Sequence, residues 1–515
     1  MHFRLPFLAP PPATSLIGGE RSTVGFDPEA DAWMSSLAAQ APAHACRLIE
    51  ERLNMLEASG LPEAQYVPAL GLIQDAIGTT QTRIDSALPR TEMRFEAADL
   101  DLVRAILGLL KRTAAAFLNT VDRLEGRWFR SGTRAIRDSA LQQAALAILQ
   151  RIELAHRIYA RSSAKGWQQL ARISHIALTS RSRVSEATRT EVARLHTRAL
   201  LLELADPNRL DPIYFEHLRM YLRRHGAQSR ILRLGRLPAE SHQAPGLYIL
   251  DVGGRNLEPL ARIDPARVAQ DGLVLDTRAL LKRLERQLTG LDAGVDTARL
   301  GLPRDASQPR YREFLAGLSE RWSQRTPRRH GRSRFLPRTR LAIGFEAARA
   351  FLGGDAAAAQ GDRASSRAIS QWTILNESPS GFGLALIAPT AGIRIGEACC
   401  LRPDGRTEAH LGVIRRAEHR GPRDIVIGVE LLGSGAKPAQ LRLDTELLSE
   451  TGGSPVVHFA HSAALGGAAV LCRSGRLREG GQVVIDLQGQ TGVHQVGAVV
   501  AAGASLELGA LQPAS

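Results

Sequence analysis

The sequence predicts a multidomain α + β protein, in which a helical N-terminal scaffold is followed by a small antiparallel β-barrel with an extra β tail. Three observations carry that reading. The chain has 515 residues, more than one hydrophobic core accommodates. Apolar residues recur at spacings of three and four from about residue 30 to 225, the rhythm of a buried helix face. From about residue 338 the period becomes two, with turns rich in Gly and Pro between short runs, as in a small antiparallel barrel.

Residues 1–28, rich in Pro, Gly, Ser and Thr, read as a flexible arm. Residues 29–300 read as a mainly helical, partner-binding scaffold. Leu141, Ala145, Ile148, Ile152, Ala155 and Tyr159 share one helix face, as do Val103, Ile106, Leu110 and Ala114, and Val192, Leu195, Ala199 and Leu202. Breaks at Pro42, Gly60, Gly126, Gly166 and Pro207 divide the stretch into helical hairpins, with no fixed repeat period. Residues 247–250 read as a strand, and Asp276 as the N-cap of a helix through Leu280, Leu281, Leu284 and Leu288. Residues 301–333 read as an arginine-rich linker, 334–450 as the barrel, and 451–515 as a C-terminal β extension. The expected barrel strands are 372–375, 383–387, 398–401, 410–414, 425–432 and 440–443, and the tail has similar runs at 456–459, 468–471, 483–487 and 496–500.

Charge narrows the class of partner. The formal net charge is +14, and RWSQRTPRRHGRSRFLPRTR, residues 321–340, contains no acid. An anionic ligand fits this balance. Nucleic acid is argued against by sparse aromatics in the tract (Trp322 and Phe335) and by the lack of a recognition helix. No apolar stretch approaches the roughly 20 residues of a membrane span. The four cysteines include no C-x-x-C pair, adjacent Cys399 and Cys400 point to opposite faces of a strand, and a cytoplasmic setting is expected. His458 and His461 diverge along a strand, so no metal site is expected. His156, His175 and His196 read as surface or part-buried helix residues. Gly433 to Lys437 lacks the spacing of a phosphate loop, no nucleophile elbow is present, and no enzyme constellation emerges.

What remains is NESPSGFGLAL, which begins at Asn376. Asn376, Ser378 and Gly381 have the form [D/N]-x-S-x-x-G, and Arg334 and Arg338 upstream have the form R-x-x-x-R. Together, ahead of alternating strands, these motifs resemble those of the PilZ family. Residues 412–415 (GVIR) and 427–432 (IGVELL) resemble later strands of that family. The resemblance covers about residues 334–443 and does not extend to the helical part. It implies a six-stranded barrel that binds cyclic di-GMP through Arg334, Arg338, Asn376, Ser378 and Gly381.

The residue chemistry agrees with that ligand. Arginine forks onto guanine O6 and N7, pairs with phosphate and stacks on purines. Asn376 and Ser378, two apart, share a face and offer an amide and a hydroxyl, while Gly381 admits a close backbone approach. The pairs Arg325/Arg329 and Arg328/Arg332 also fit R-x-x-x-R. Arg334/Arg338 is preferred because the apolar strand starts just after Arg338. Two features depart from the family pattern: an Ala/Gly-rich insertion at about 347–366, and Asn in place of Asp at the head of the second motif. The expected function is a cyclic di-GMP receptor that relays the messenger to a protein partner through the helical scaffold. The rival readings are a barrel that has lost the nucleotide and serves as an adaptor, and a nucleic-acid binder using the arginine tract.

Overall fold

The computed structural model describes residues 28–513 except 91–92, 94, 126–131, 180–183, 252–254, 264–271, 324–336, 355–368, 388–391, 422–423, 444–452 and 504. Eight helices come first: α1 (Pro28–Ala39), α2 (Pro42–Ala58), α3 (Glu63–Ala87), α4 (Ala97–Glu125), α5 (Thr133–Arg157), α6 (Ala164–Thr179), α7 (Glu186–Leu204) and α8 (Pro212–His225). Among the described residues, no helix is long and apolar enough to cross a membrane. The three apolar stripes read from the sequence are all buried. α5 lies at the centre, against α3, α4, α6 and α7. Its Ala140, Ala144, Ala145 and Ala147 are fully buried and let those neighbours approach closely. His156 and His196, expected at or near the surface, are both buried. His156 faces Glu203 at 3.3 Å and His196 lies 2.7 Å from the Ser174 hydroxyl.

A four-stranded antiparallel sheet follows, formed by β1 (Arg230–Arg233), β2 (Leu247–Leu250), β3 (Leu257–Pro259) and β4 (Leu273–Asp276), in the order β1-β4-β2-β3. Asp276 is the last residue of β4, and Thr277 holds the N-cap position of α9 (Arg278–Asp292). The Asp276 carboxylate nonetheless accepts the Arg278 backbone N–H at 3.1 Å. Within the stretch expected as linker stands α10 (Pro309–Ser323). Tyr311, Phe314, Leu315, Leu318 and Trp322 fall at helical spacing and are buried, a stripe masked in the sequence by the arginines around it.

Two closed six-stranded barrels complete the chain. The first contains β5 (Arg338–Ile343), β6 (Ile369–Ser378), β7 (Gly381–Leu386), β8 (Ala398–Pro403), β9 (His410–Gly421) and β10 (Asp424–Leu431), in the order β10-β7-β6-β5-β8-β9. The bridge of β11 (Gly433–Ser434) precedes β12 (Lys437–Leu443). The expected strand at 440–443 therefore exists within β12, but it belongs to the second barrel. There it joins β13 (Ser454–Phe459), β15 (Ala469–Arg473), β16 (Gln482–Leu487), β17 (Gln490–Ala501) and β18 (Leu506–Pro513), with β14 (His461–Ser462) pairing β11. Packing decides the allocation. Leu441 shares a core with Val456, Val470 and Ile485, while β5 closes the first barrel by pairing with both β6 and β8.

Two junctions join these parts. Between the barrels, α11 (Phe345–Leu352) contributes Phe345 and Phe351 to a core that also holds Cys400, Val413, Phe459 and Leu508. Cys399, on the other face of β8, lies inside the first barrel. At the helical junction, Met93 and Tyr159 belong to the core of the first barrel. The Met93 N–H donates to Ile393 O at 2.8 Å, the His419 N–H donates to Tyr159 O at 2.9 Å, and Arg161 pairs with buried Glu418 at 2.7 Å. Tyr159 follows the end of α5 with φ of 57°, in the left-handed region.

Candidate ligand-binding face

The positions of Asn376 and Ser378 depend on one extra residue. Trp372 and Ile374 point into the first barrel, so strict alternation would send Asn376 inward as well. A register shift lies between Ile374 and Asn376, and Leu375 is the bulged residue. Beyond it Asn376 stands opposite Gly383 and Ser378 opposite Gly381, whereas inward-pointing Phe382 stands opposite Glu377. Asn376, Ser378 and Gly381 therefore lie on the outer face. Arg338, opposite Thr373, is exposed on that same face at the start of β5. Arg334 lies outside the described residues.

Strand pairing continues this face across the barrel. Gly383 stands opposite Gly428 of β10, and Gly428 stands opposite Arg416 of β9. The row Asn376, Gly383, Gly428, Arg416 thus crosses four strands, about 14 Å at roughly 4.8 Å per strand spacing. Its two central positions carry no side chain. The Asn376 amide lies across Gly383, since a β-carbon there would fall 2.7 Å from Oδ1 and 2.9 Å from Nδ2. Neither Arg338 nor Asn376 has a side-chain hydrogen bond among the described residues.

The turn at the edge of this floor is held tightly. The Ser378 hydroxyl donates to Gly381 O at 3.2 Å, and the Leu431 N–H donates to Ser380 O at 3.0 Å. A β-carbon on Gly381 would overlap the Val429 carbonyl oxygen, so glycine is what allows β7 to meet β10 here. Its φ of 159° is close to extended, and the requirement is the close approach rather than a left-handed turn.

Charges rim the floor. Arg416 reaches toward Glu418 at 3.7 Å. Burial pushes the Glu418 carboxyl up, but hydrogen bonds from Arg420 and Arg161 outweigh it and hold the group below its usual range. Glu430, opposite Gly381, pairs with Arg415 at 2.6 Å. Arg340 and Arg402 stand directly opposite one another on β5 and β8, both against the Phe351 ring. Sequence reasoning missed Gly383, Gly428 and Arg416. Their signal was present in GFGLA and IVIGVEL, where each glycine occupies an outward position among inward apolar ones.

The face therefore combines an exposed cation, an amide lying over Gly383, the bare position of Gly428 and a second cation opposite. The helical half supplies a separate finding. Residues 28–236, from α1 to just past β1, match a family model described as "Cyclic-di-GMP receptor FimW, N-terminal domain". The match spans α1 to α8 and stops short of α9, α10 and both barrels, and over it the chain is similar to the N-terminal domain of that receptor. No curated protein matches the chain.

Proposed function

We propose that this protein is a receptor for cyclic di-GMP, with the nucleotide on the outer face of the first barrel and the helical half relaying its presence to a protein partner. The observation that carries the reading is the row from Asn376 over Gly383 and Gly428 to Arg416. A purine lies flat only where no β-carbon intervenes, and Gly428 provides that surface, with Gly383 beside it beneath the Asn376 amide. Arg338 and Arg416 are placed to meet phosphates or the guanine O6 and N7 edge. Asn376 and Ser378 offer amide and hydroxyl contacts to base edges. An amide at position 376 lacks the anionic acceptor that an aspartate would give to guanine N–H groups. Glu430, on the neighbouring row, supplies a carboxylate. Arg334 joins this set from the sequence motif. The similarity of residues 28–236 to a cyclic di-GMP receptor domain supports the same ligand from an independent part of the chain.

The test is calorimetric titration of the full chain with cyclic di-GMP and with cyclic di-AMP. Guanine presents an O6 acceptor where adenine presents an amino donor, so the guanine dinucleotide is expected to bind far more tightly. Equal affinity for the two, or binding of neither, overturns the reading.

A further inference from the structure

We infer that Arg224 of α8 and Arg283 of α9, gathered around Gly301, form a second anion site that takes a phosphate group. This goes beyond the barrel face and stands on different residues. A β-carbon on Gly301 would fall 3.4 Å from Arg283 Nη2, 3.7 Å from His225 Cε1 and 3.8 Å from Arg224 Cζ. Two guanidinium groups and an imidazole thus converge on the space beside a residue that has no side chain. Among the described residues no carboxylate pairs with either arginine. Arg283 Nε is buried without a hydrogen-bond partner.

Basic residues in the last turn of a helix offset its dipole, which accounts for Arg224 at the end of α8. It does not account for Arg283, which a different helix brings against Arg224. An anion held between the two guanidinium groups would relieve their mutual repulsion. The surroundings are also fixed in advance. Gly301, with φ of 71°, closes a left-handed turn held by Leu302 N–H to Thr297 O at 2.8 Å and by Gln287 Nε2 to Leu300 O at 3.0 Å. His225 Nε2 lies 3.3 Å from Gly301 O, and the ring packs edge-on to Tyr221. Burial and then Arg283 and Arg224 lower the His225 pKa to about 4, although the Gly301 carbonyl favours its charged form. The imidazole is therefore neutral at pH 7, and the two forked guanidinium groups provide the positive charge. Guanidinium forks match the tetrahedral oxygens of phosphate better than an ammonium does.

The experiment is a calorimetric titration of the full chain with inorganic phosphate at constant ionic strength. One saturable site is expected in the unaltered chain, weakened at least about tenfold by Arg224→Gln and by Arg283→Gln. Arg104→Gln on α4 removes the same charge elsewhere and is expected to leave binding unchanged. Arg283→Lys keeps the charge and most of the packing but loses the fork. It is expected to fall between Arg283→Gln and the unaltered chain, and it serves if the glutamine variant does not fold. A parallel titration with guanosine monophosphate separates the sources: equal affinity marks a free-anion site, and tighter binding marks a phosphoester ligand. No saturable binding to the unaltered chain, or equal binding by all variants, overturns the assignment. Cyclic di-GMP affinity is expected to be unchanged in these variants, so the two sites stand or fall separately.

Discussion

At Gly381 a β-carbon would run into the Val429 carbonyl, so Gly381→Ala is expected to open the β7–β10 seam and destabilise the barrel as well as weaken nucleotide binding. Arg338→Ala is cleaner, because the side chain is exposed and unbonded among the described residues. A charge-assisted contact is worth roughly 1.5–3 kcal/mol, which corresponds to about one to two decades in affinity for cyclic di-GMP. Arg416→Ala is expected to lose a similar amount with the thermal midpoint preserved, and Ser378→Ala less, about 1 kcal/mol for a neutral hydroxyl bond. Calorimetry on folded variants checks all three, and an unchanged affinity for Arg416→Ala would remove the far side of the floor. Away from the face, His196 is fully buried and burial lowers its pKa to about 3 from an ordinary 6.5. The unfolded chain binds that proton and the folded chain does not. Stability is therefore complete above pH 6.5 and falls as the pH drops toward 3, by about 1.4 kcal/mol per pH unit from this group. Urea unfolding of His196→Gln between pH 6.5 and 4 is expected to show that much less slope than the unaltered chain.

Among the elements, the bulge at Leu375 and the outward glycines of β7 and β10 act together. The bulge turns Asn376 and Ser378 outward, Gly383 leaves room for the Asn376 amide to lie across it, and Gly428 keeps the next position bare. Gly428→Val places a branched side chain on that floor, against Arg416 Cβ, which a β-carbon would already approach to 3.5 Å. Valine is well suited to strands, so the barrel is expected to remain folded while cyclic di-GMP binding falls by at least about tenfold. Retained affinity in a folded Gly428→Val variant would show that the ligand does not lie on the floor.

Across the whole molecule, the helical half and the first barrel share a core at Met93 and Tyr159. The ligand face lies at the end of the barrel where β6 ends and β7 begins. The row also runs to Arg416 of β9, 3.7 Å from Glu418, which is itself the partner of Arg161 at the helical junction. Tyr159→Ala removes a fully packed ring and its 2.8 Å hydroxyl bond to Leu210 O. The expected loss is about 3–5 kcal/mol, as for other buried aromatic truncations, and urea unfolding of the full chain measures it. A fragment of residues 324–515 is proposed to fold and keep cyclic di-GMP affinity. It is expected to melt below the barrel of the intact chain, because two core side chains are left behind.

The chain itself determined the local layers. Spacings of three and four fixed the buried stripes of α4, α5 and α7, and alternation from residue 338 foretold barrel strands, because both patterns record which face meets water. The same alternation placed Asn376 and Ser378 on one face. Which face that is depended on the Leu375 bulge, an irregularity of strand pairing that no local period records. Nor does any local period show that Arg416 lies across from Asn376, since three strand pairings separate them. Strand allocation was likewise tertiary: residues 440–443 alternate equally well in either barrel, and only the partners of Leu441 choose between them. The arginines around α10 hid an apolar stripe that becomes plain only once a core exists to receive it.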